Sequence, residues 1–140
     1  MTKKKIGWVV MYRTRAGNWR CDGYVTTRPA DAIQIFCHDH SRHTKLEKQE
    51  WVARRQHGLV ACVPAYIGLA DGQRVGWVVQ WRQTPRRRWD TDLDMRRGRA
   101  ECVWSWLAAT QWSLDEWNWR RRKGLVRTVP AKVKSEDTSS

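Results

Sequence analysis

No apolar run in this chain approaches the roughly 20 residues that a membrane-spanning helix needs. The basic start, Lys3-Lys4-Lys5, is not followed by the apolar core of a secretory signal. Cysteine occurs four times, at Cys21, Cys37, Cys62 and Cys102, and no pair has metal-ribbon spacing. A secreted scaffold of this size would carry more cysteines at regular spacing. These absences predict a soluble, cytoplasmic protein with reduced thiols and no membrane partner. There is no phosphate-cradling glycine loop, no Glu-His zinc motif and no nucleophile–base arrangement. The expectation is a non-enzyme without cofactors.

Acidic residues are also scarce, with 14 Asp/Glu against 27 Lys/Arg and a net charge of +13. Residues 76–130 hold twelve Lys/Arg and six Asp/Glu, and residues 7–75 hold ten and six. A basic excess spread over a folded chain points to a polyanion, nucleic acid before an anionic membrane surface.

What the chain does have is a repeat. Glu50-Trp51, Arg54-Arg55, Gly58-Leu59-Val60 and Val63-Pro64-Ala65 return 66 residues later as Glu116-Trp117, Arg120-Arg121, Gly124-Leu125-Val126 and Val129-Pro130-Ala131. Gly7-Trp8-Val9-Val10 returns after 69 residues as Gly76-Trp77-Val78-Val79. Trp19 and Ala30 return after 70, as Trp89 and Ala100. Each copy is about 60 residues, near the lower limit for folding alone, so fusion across an interface is expected.

Each copy reads as strand, strand, helix, helix, strand. Trp8, Val10 and Tyr12 alternate with Val9, Met11 and Arg13, so 7–14 is a strand. Ala16-Gly17-Asn18 signals a turn, and 19–26 returns as a second strand. Thr27 can cap a helix with Pro29 in its first turn and Ala30, Ile33 and Phe36 on one face. Thr44 and Glu47 have capping-box spacing for a second helix that Gly58 ends. Residues 59–67 form the third strand, where Pro64 suggests an edge or a bulge. Repeat 2 gives strands at 76–83 and 88–95, helices at 99–109 and 113–123, and a strand at 125–133. Asp71-Gly72 between two extended runs predicts a hairpin joining the copies. The expected fold is α+β: a tandem duplication of a β-β-α-α-β unit, hairpin-joined, sharing one antiparallel sheet and core. Residues 1–6 are a basic arm, 7–75 and 76–133 the repeats, and 134–140 a disordered tail.

Eleven tryptophans either fill a small core or are displayed to stack on bases. The matched pairs Trp8/Trp77, Trp19/Trp89 and Trp51/Trp117 suit packing. Trp81, Trp106 and Trp112 replace Tyr12, Phe36 and Leu46, again as core. Trp104 replaces Gln34 and Trp119 replaces Ala53, so these two are candidates for a functional aromatic surface. The basic candidates are Arg86, Arg87 and Arg88 in a hairpin turn, Arg96, Arg97 and Arg99 before a helix, and Arg120, Arg121, Arg122 and Lys123 at a helix end. Arg54 and Arg55 are the repeat-1 counterparts of Arg120 and Arg121. Helix dipoles favour cations at C-termini, but four in a row exceed that need, and a basic hairpin tip suits phosphate contact.

The runs Trp8-Val9-Val10-Met11-Tyr12-Arg13, Trp19-Arg20 and Thr26-Thr27-Arg28-Pro29-Ala30-Asp31-Ala32 are similar to the arm-type DNA-binding modules of tyrosine recombinases and to AP2-like domains. The similarity spans about 30 residues of each copy and leaves out the second helix and the Val-Pro-Ala strand. It implies a sheet able to lie against DNA.

Cys37, His40 and His43 are spaced three apart, a weak metal set that would need a further ligand. Repeat 2 has Leu107-Ala108-Ala109-Thr110 in the corresponding region, so the fold does not need them. Asp90, Asp92 and Asp94 alternate along a strand and could hold Mg²⁺, but a salt-bridged face among the arginines is the simpler reading. The sequence thus predicts a non-catalytic protein that binds DNA or RNA through arginines and exposed tryptophans. The alternative is a small regulator docking on a protein partner such as a nucleic-acid enzyme complex.

Overall fold

The computed structural model describes residues 2–38 and 47–138. Its elements are β1 (Lys4–Arg13), β2 (Trp19–Cys21), α1 (Pro29–His38), α2 (Lys48–Gln56), β3 (Val60–Ile67), β4 (Gln73–Trp81), β5 (Asp90–Thr91), α3 (Arg99–Thr110), α4 (Leu114–Arg122), β6 (Val126–Val133) and α5 (Ser135–Thr138). The fold is α+β with one six-stranded sheet in the order β2-β1-β3-β6-β4-β5, every neighbouring pair antiparallel.

The two halves carry matching ladders. Gly7, Trp8 and Val9 oppose Ala65, Pro64 and Val63, while Gly76, Trp77 and Val78 oppose Ala131, Pro130 and Val129. Both β1 and β4 have a register shift just before the Gly-Trp step. Trp8 bridges to Thr26 and Trp77 to Arg96. A Cβ on Gly7 would strike the carbonyl oxygen of Thr26, and one on Gly76 that of Arg96. The repeated glycines are therefore places where two backbones come too close for any side chain.

The prolines set the join between halves. Trp8 exchanges both backbone hydrogen bonds with Thr26, so it turns them away from β3. Its partner Pro64 accordingly turns its donorless nitrogen away from β1, toward the β6 side. Pro130 is placed likewise opposite Trp77, which exchanges its bonds with Arg96. The β3–β6 ladder comprises two pairs, Tyr66↔Lys132 and Ile67↔Ala131. Pro64 is thus in an inner strand rather than an edge, at a point where its missing N–H is not called upon.

So short a central ladder lets the sheet fold over. The inward faces of both halves meet in one cluster that includes Val9, Met11, Val63, Ala65, Ile67, Val78, Val129, Ala131 and Val133. Gln73 Nε2 donates to the Trp19 carbonyl at 2.8 Å, tying together β4 and β2, which are not neighbours in the sheet. On the outer face, α1 and α2 cover Val10 and Val60 with Phe36 and Trp51. In the second half, Trp106, Leu107 and Trp117 of α3 and α4 cover Val79 and Val126.

Several expectations need correction. Asp71-Gly72 connects β3 to β4, but β6 lies between those strands, so they do not form a hairpin. Lys4 and Lys5 belong to β1 and pair with Ile67 and Tyr66, so residues 1–6 are not a free arm. Residues 134–138 are ordered: α5 buries Thr138 and packs beside β3. The second strand of each half is three or two residues, not eight. The α2 helix starts at Lys48 with Glu47 as N-cap and no side-chain cap, and Thr44 lies outside the described residues. In α4 the expected cap forms, with Ser113 Oγ accepting from the Glu116 N–H at 3.1 Å.

Gly7→Ala and Gly76→Ala are each expected to lower stability by about 1–3 kcal/mol through overpacking, read from urea midpoints at unchanged slope. Gly98→Ala is the control, because a Cβ there meets open space.

Candidate functional site

Some of the second half's cations gather at the end of β4. Residues 82–89 form an exposed loop in which the Arg87 N–H donates to the Thr84 carbonyl across Pro85 and Arg86. Proline at the second position of such a turn presets the backbone. Arg82 ties this loop to the end of α4: its Nε donates to the Gly124 carbonyl at 2.9 Å and Nη1 to the Arg87 carbonyl at 3.5 Å. Gly124 (φ 74°) takes the left-handed turn after α4, and the carbonyls of Trp119, Arg120 and Arg121 accept from Lys123, Leu125 and Gly124. Arg86, Arg87 and Arg88 are thereby brought to the same end of the molecule as Arg121, Arg122 and Lys123. None of these six is in an ion pair among the described residues.

Two further arginines, which the charge runs in the sequence do not mark, complete this end. Arg82 directly follows β4 and Arg127 lies on the neighbouring β6, and their guanidinium carbons stand 4.0 and 4.1 Å from the Trp89 ring centroid. Arg127 Nε donates to Gln80 Oε1 at 2.9 Å, and Gln80 Nε2 donates to Thr91 Oγ1 at 3.1 Å. Burial, and then the charge of Arg82, pull the Arg127 guanidinium below its ordinary value. The period-two alternation of β4 and β6 was the available signal, since it puts Gln80, Arg82 and Arg127 on the inward face beyond the apolar cluster.

The other candidates are elsewhere. Arg96 pairs with Asp94 at 3.0 Å, and that hydrogen bond raises its pKa. Arg97 donates to the Cys21 carbonyl, and Arg99 lies 4.3 Å from the Trp77 ring, which Arg74 also approaches at 5.3 Å. Arg96 and Arg97 border a cleft of about 290 Å³ between the halves, alongside Asp22, Asp94 and Glu101, so the local charge is mixed. Arg120 pairs with Glu116 at 2.8 Å and covers the Trp112 ring at 4.3 Å. Arg54 and Arg55 end α2 in the first half. Tyr66↔Lys132 is the join, and Val60 and Val126 begin β3 and β6 six residues away on opposite sides of it. At the strand rise each arm is roughly 20 Å, so Arg54-Arg55 and Arg121–Lys123 occupy opposite ends. These two helix ends do not converge, whereas Arg20 of the first half and Arg74 and Arg97 line one cleft of about 220 Å³.

Trp104 and Trp119 are exposed, at 62% and 47%. Trp119 sits one turn before Lys123, whose Nζ is 6.0 Å from its ring. Trp51, Trp117 and Trp106 are buried, and Trp112 is partly buried. Of the other matched tryptophans, Trp8, Trp19 and Trp77 pack against the edges of the core clusters. Trp8, Trp19, Trp77 and Trp89 are half-buried, each beneath a cation. Trp81 is exposed rather than packed inside. Both faces of β1 are covered, Val9 and Met11 by the shared cluster and Val10 by helices, so this strand offers no open face to a duplex.

Cys37 is buried in α1, and His40 and His43 lie outside the described residues. Asp92 Oδ1 accepts from the Asp94 N–H, and Asp94 is engaged by Arg96 and Ser105, so the three aspartates do not converge. Among the described residues no cluster of His, Cys, Asp or Glu could hold a metal. No family model, curated protein or solved structure matches this chain. Residue roles therefore rest on geometry and on comparison of one half with the other.

The thiols give a pH dependence. Burial raises Cys21 and Cys62 to about 11 and Cys102 to about 12, and raises Cys37 too. Unfolded thiols ionise near about 8.5. Above that value the unfolded chain sheds protons that the folded chain keeps, so stability falls. The urea midpoint is expected to stay level from about pH 7 to 8 and to decline between about pH 9 and 11. A cysteine-free variant should lack the thiol part of the decline.

Proposed function

We propose that this protein binds nucleic acid without catalysis, through the end of the second half. The carrying observation is an internal comparison. At that end the second half has Arg86-Arg87-Arg88 where the first has the 14–18 turn, with a single Arg15. It has Trp119 for Ala53, Arg122 for Gln56, Lys123 for His57 and Arg127 for Ala61. The matching ladders put these positions in the same place in each half. The first half folds without these cations, so stability of the unit does not account for them. Neighbouring cations repel, and phosphates offset that repulsion while releasing counterions. Trp119, among them, offers a ring to an unstacked base.

Trp104 favours a second reading. It is the most exposed large apolar side chain among the described residues, and α3 contributes none of the unpaired cations at the end of β4. An exposed tryptophan of this kind suits an anchor for a protein partner.

Binding of labelled single- and double-stranded oligonucleotides across a salt series tests the first reading. Arg86→Ala/Arg87→Ala/Arg88→Ala is expected to flatten the log–log salt dependence by roughly 0.7–0.9 for each phosphate no longer neutralised. Trp119→Ala should weaken single-strand binding by about 1–3 kcal/mol, the stacking of one base, with the salt slope unchanged. Arg54→Ala/Arg55→Ala should change neither. No binding at about 50 mM salt, where phosphate contacts are strong, would shift the case to the protein partner.

A further inference from the structure

An Arg–Trp pair at the end of the sheet belongs to both halves. In the first, Arg13 stands 5.2 Å from the Trp19 ring, as Arg82 does at 4.0 Å from Trp89. The second half adds something the first lacks. Met11, Cys21 and Ala61 correspond to Gln80, Thr91 and Arg127. Three weakly polar or apolar side chains have become a hydrogen-bonded relay from Thr91 through Gln80 to Arg127. Gln80 is 3% exposed. Burying an amide where methionine suffices is unfavourable unless the group has work to perform.

What the relay does is hold Arg127. It fixes Nε and leaves the guanidinium beside Trp89, within about 8 Å of Arg82. Arg82 is fixed in turn through Nε and Nη1. Arg127 Nη1 and Nη2 and Arg82 Nη2 have no hydrogen-bond partner among the described residues. Among the described residues no carboxylate is paired with either arginine, and Asp90 lies on the other face of its strand from Trp89. Two cations are thus held on one ring with no ion-pair partner among the described residues, their terminal N–H groups unused.

We propose that Arg127 and Arg82 form a seat for one phosphate group, held ready by Gln80 and Thr91. Planar guanidinium forks match phosphate oxygens in both geometry and charge. A bound phosphate removes the repulsion that the empty pair carries. The seat rests on side-chain geometry; its occupation by a backbone phosphate rests on the nucleic-acid reading above, and a free phosphate is the other source.

The test restores the first half's residues in the second: Gln80→Met, Thr91→Cys and Arg127→Ala together. The first half packs those side chains at the same positions, so the variant should unfold cooperatively. Arg127→Lys is the companion, keeping charge and size while removing the fork. The measurements are oligonucleotide binding across salt and the response of the Arg82 and Arg127 Nε–H resonances to inorganic phosphate in a chloride background. The seat predicts a phosphate response at both arginines of the native chain, weakened several-fold by Arg127→Lys and lost from Arg82 in the triple variant. For a backbone phosphate, the triple variant also lowers the salt slope by roughly 0.7–0.9. A lost phosphate response with an unchanged slope supports the seat with free phosphate as its ligand. A native chain that responds to phosphate but binds no oligonucleotide sinks the nucleic-acid reading and leaves the seat standing. No phosphate response at these resonances together with an unchanged slope overturns the seat.

Discussion

A single short ladder governs this architecture. Tyr66↔Lys132 and Ile67↔Ala131 join two half-sheets, and Pro64 and Pro130 turn donorless nitrogens toward that junction. A longer ladder would hold the halves in one extended sheet with its inward face open. Two pairs let the sheet fold, so valines and alanines of both halves close on each other. Units of about 60 residues are marginal alone, and the shared cluster is where each gains its missing core. The same junction dictates where function can sit. Tyr66 pairs with the residue 66 positions on, which is also a repeat interval, and equivalent ends of the halves point apart.

Divergence between the halves follows from that separation. At the far end of β1 the inward row finishes with Met11, Arg13, Trp19 and Ala61. At the far end of β4 it finishes with Gln80, Arg82, Trp89 and Arg127. The first set is an apolar row closed by one cation over one ring. The second is a polar relay with two cations on one ring, next to a basic turn and a basic helix end. Electrostatic repulsion within that second set is the feature on which the proposed binding of an anion rests. Elsewhere three arginines are paired internally: Arg96 by Asp94, Arg120 by Glu116, Arg28 by Asp31.

The sequence made the elements legible because the repeat doubled each weak signal. Alternation around Trp8 and Trp77, the Ser113 cap and the glycines after α2 and α4 all act locally. Strand order was not legible, because the Asp71-Gly72 turn joins β3 to β4 whether or not β6 lies between them. The site was partly legible. Runs such as Arg86–Arg88 and Arg120–Lys123 stand out as charge, but ion pairing divides them and the run hides it: Arg120 is neutralised one helical turn away by Glu116. Arg82 and Arg127 stand singly in the sequence, 45 residues apart, and only strand adjacency joins them at Trp89. Matched tryptophans were legible as packing residues, since Trp51 and Trp117 are buried and Trp8, Trp19 and Trp77 pack against the core clusters. What repetition did not reveal is that Trp8, Trp19, Trp77 and Trp89 each also lie under a cation.

Indole N–H resonances test most directly the claim that one half builds while the other binds. Eleven tryptophans distribute reporters over both halves. On titration with a short single-stranded oligonucleotide, the Trp89 and Trp119 resonances should move together and saturate, while those of Trp8, Trp19 and Trp51 stay in place. Movement of the first-half indoles with Trp89 and Trp119 unmoved would contradict the account.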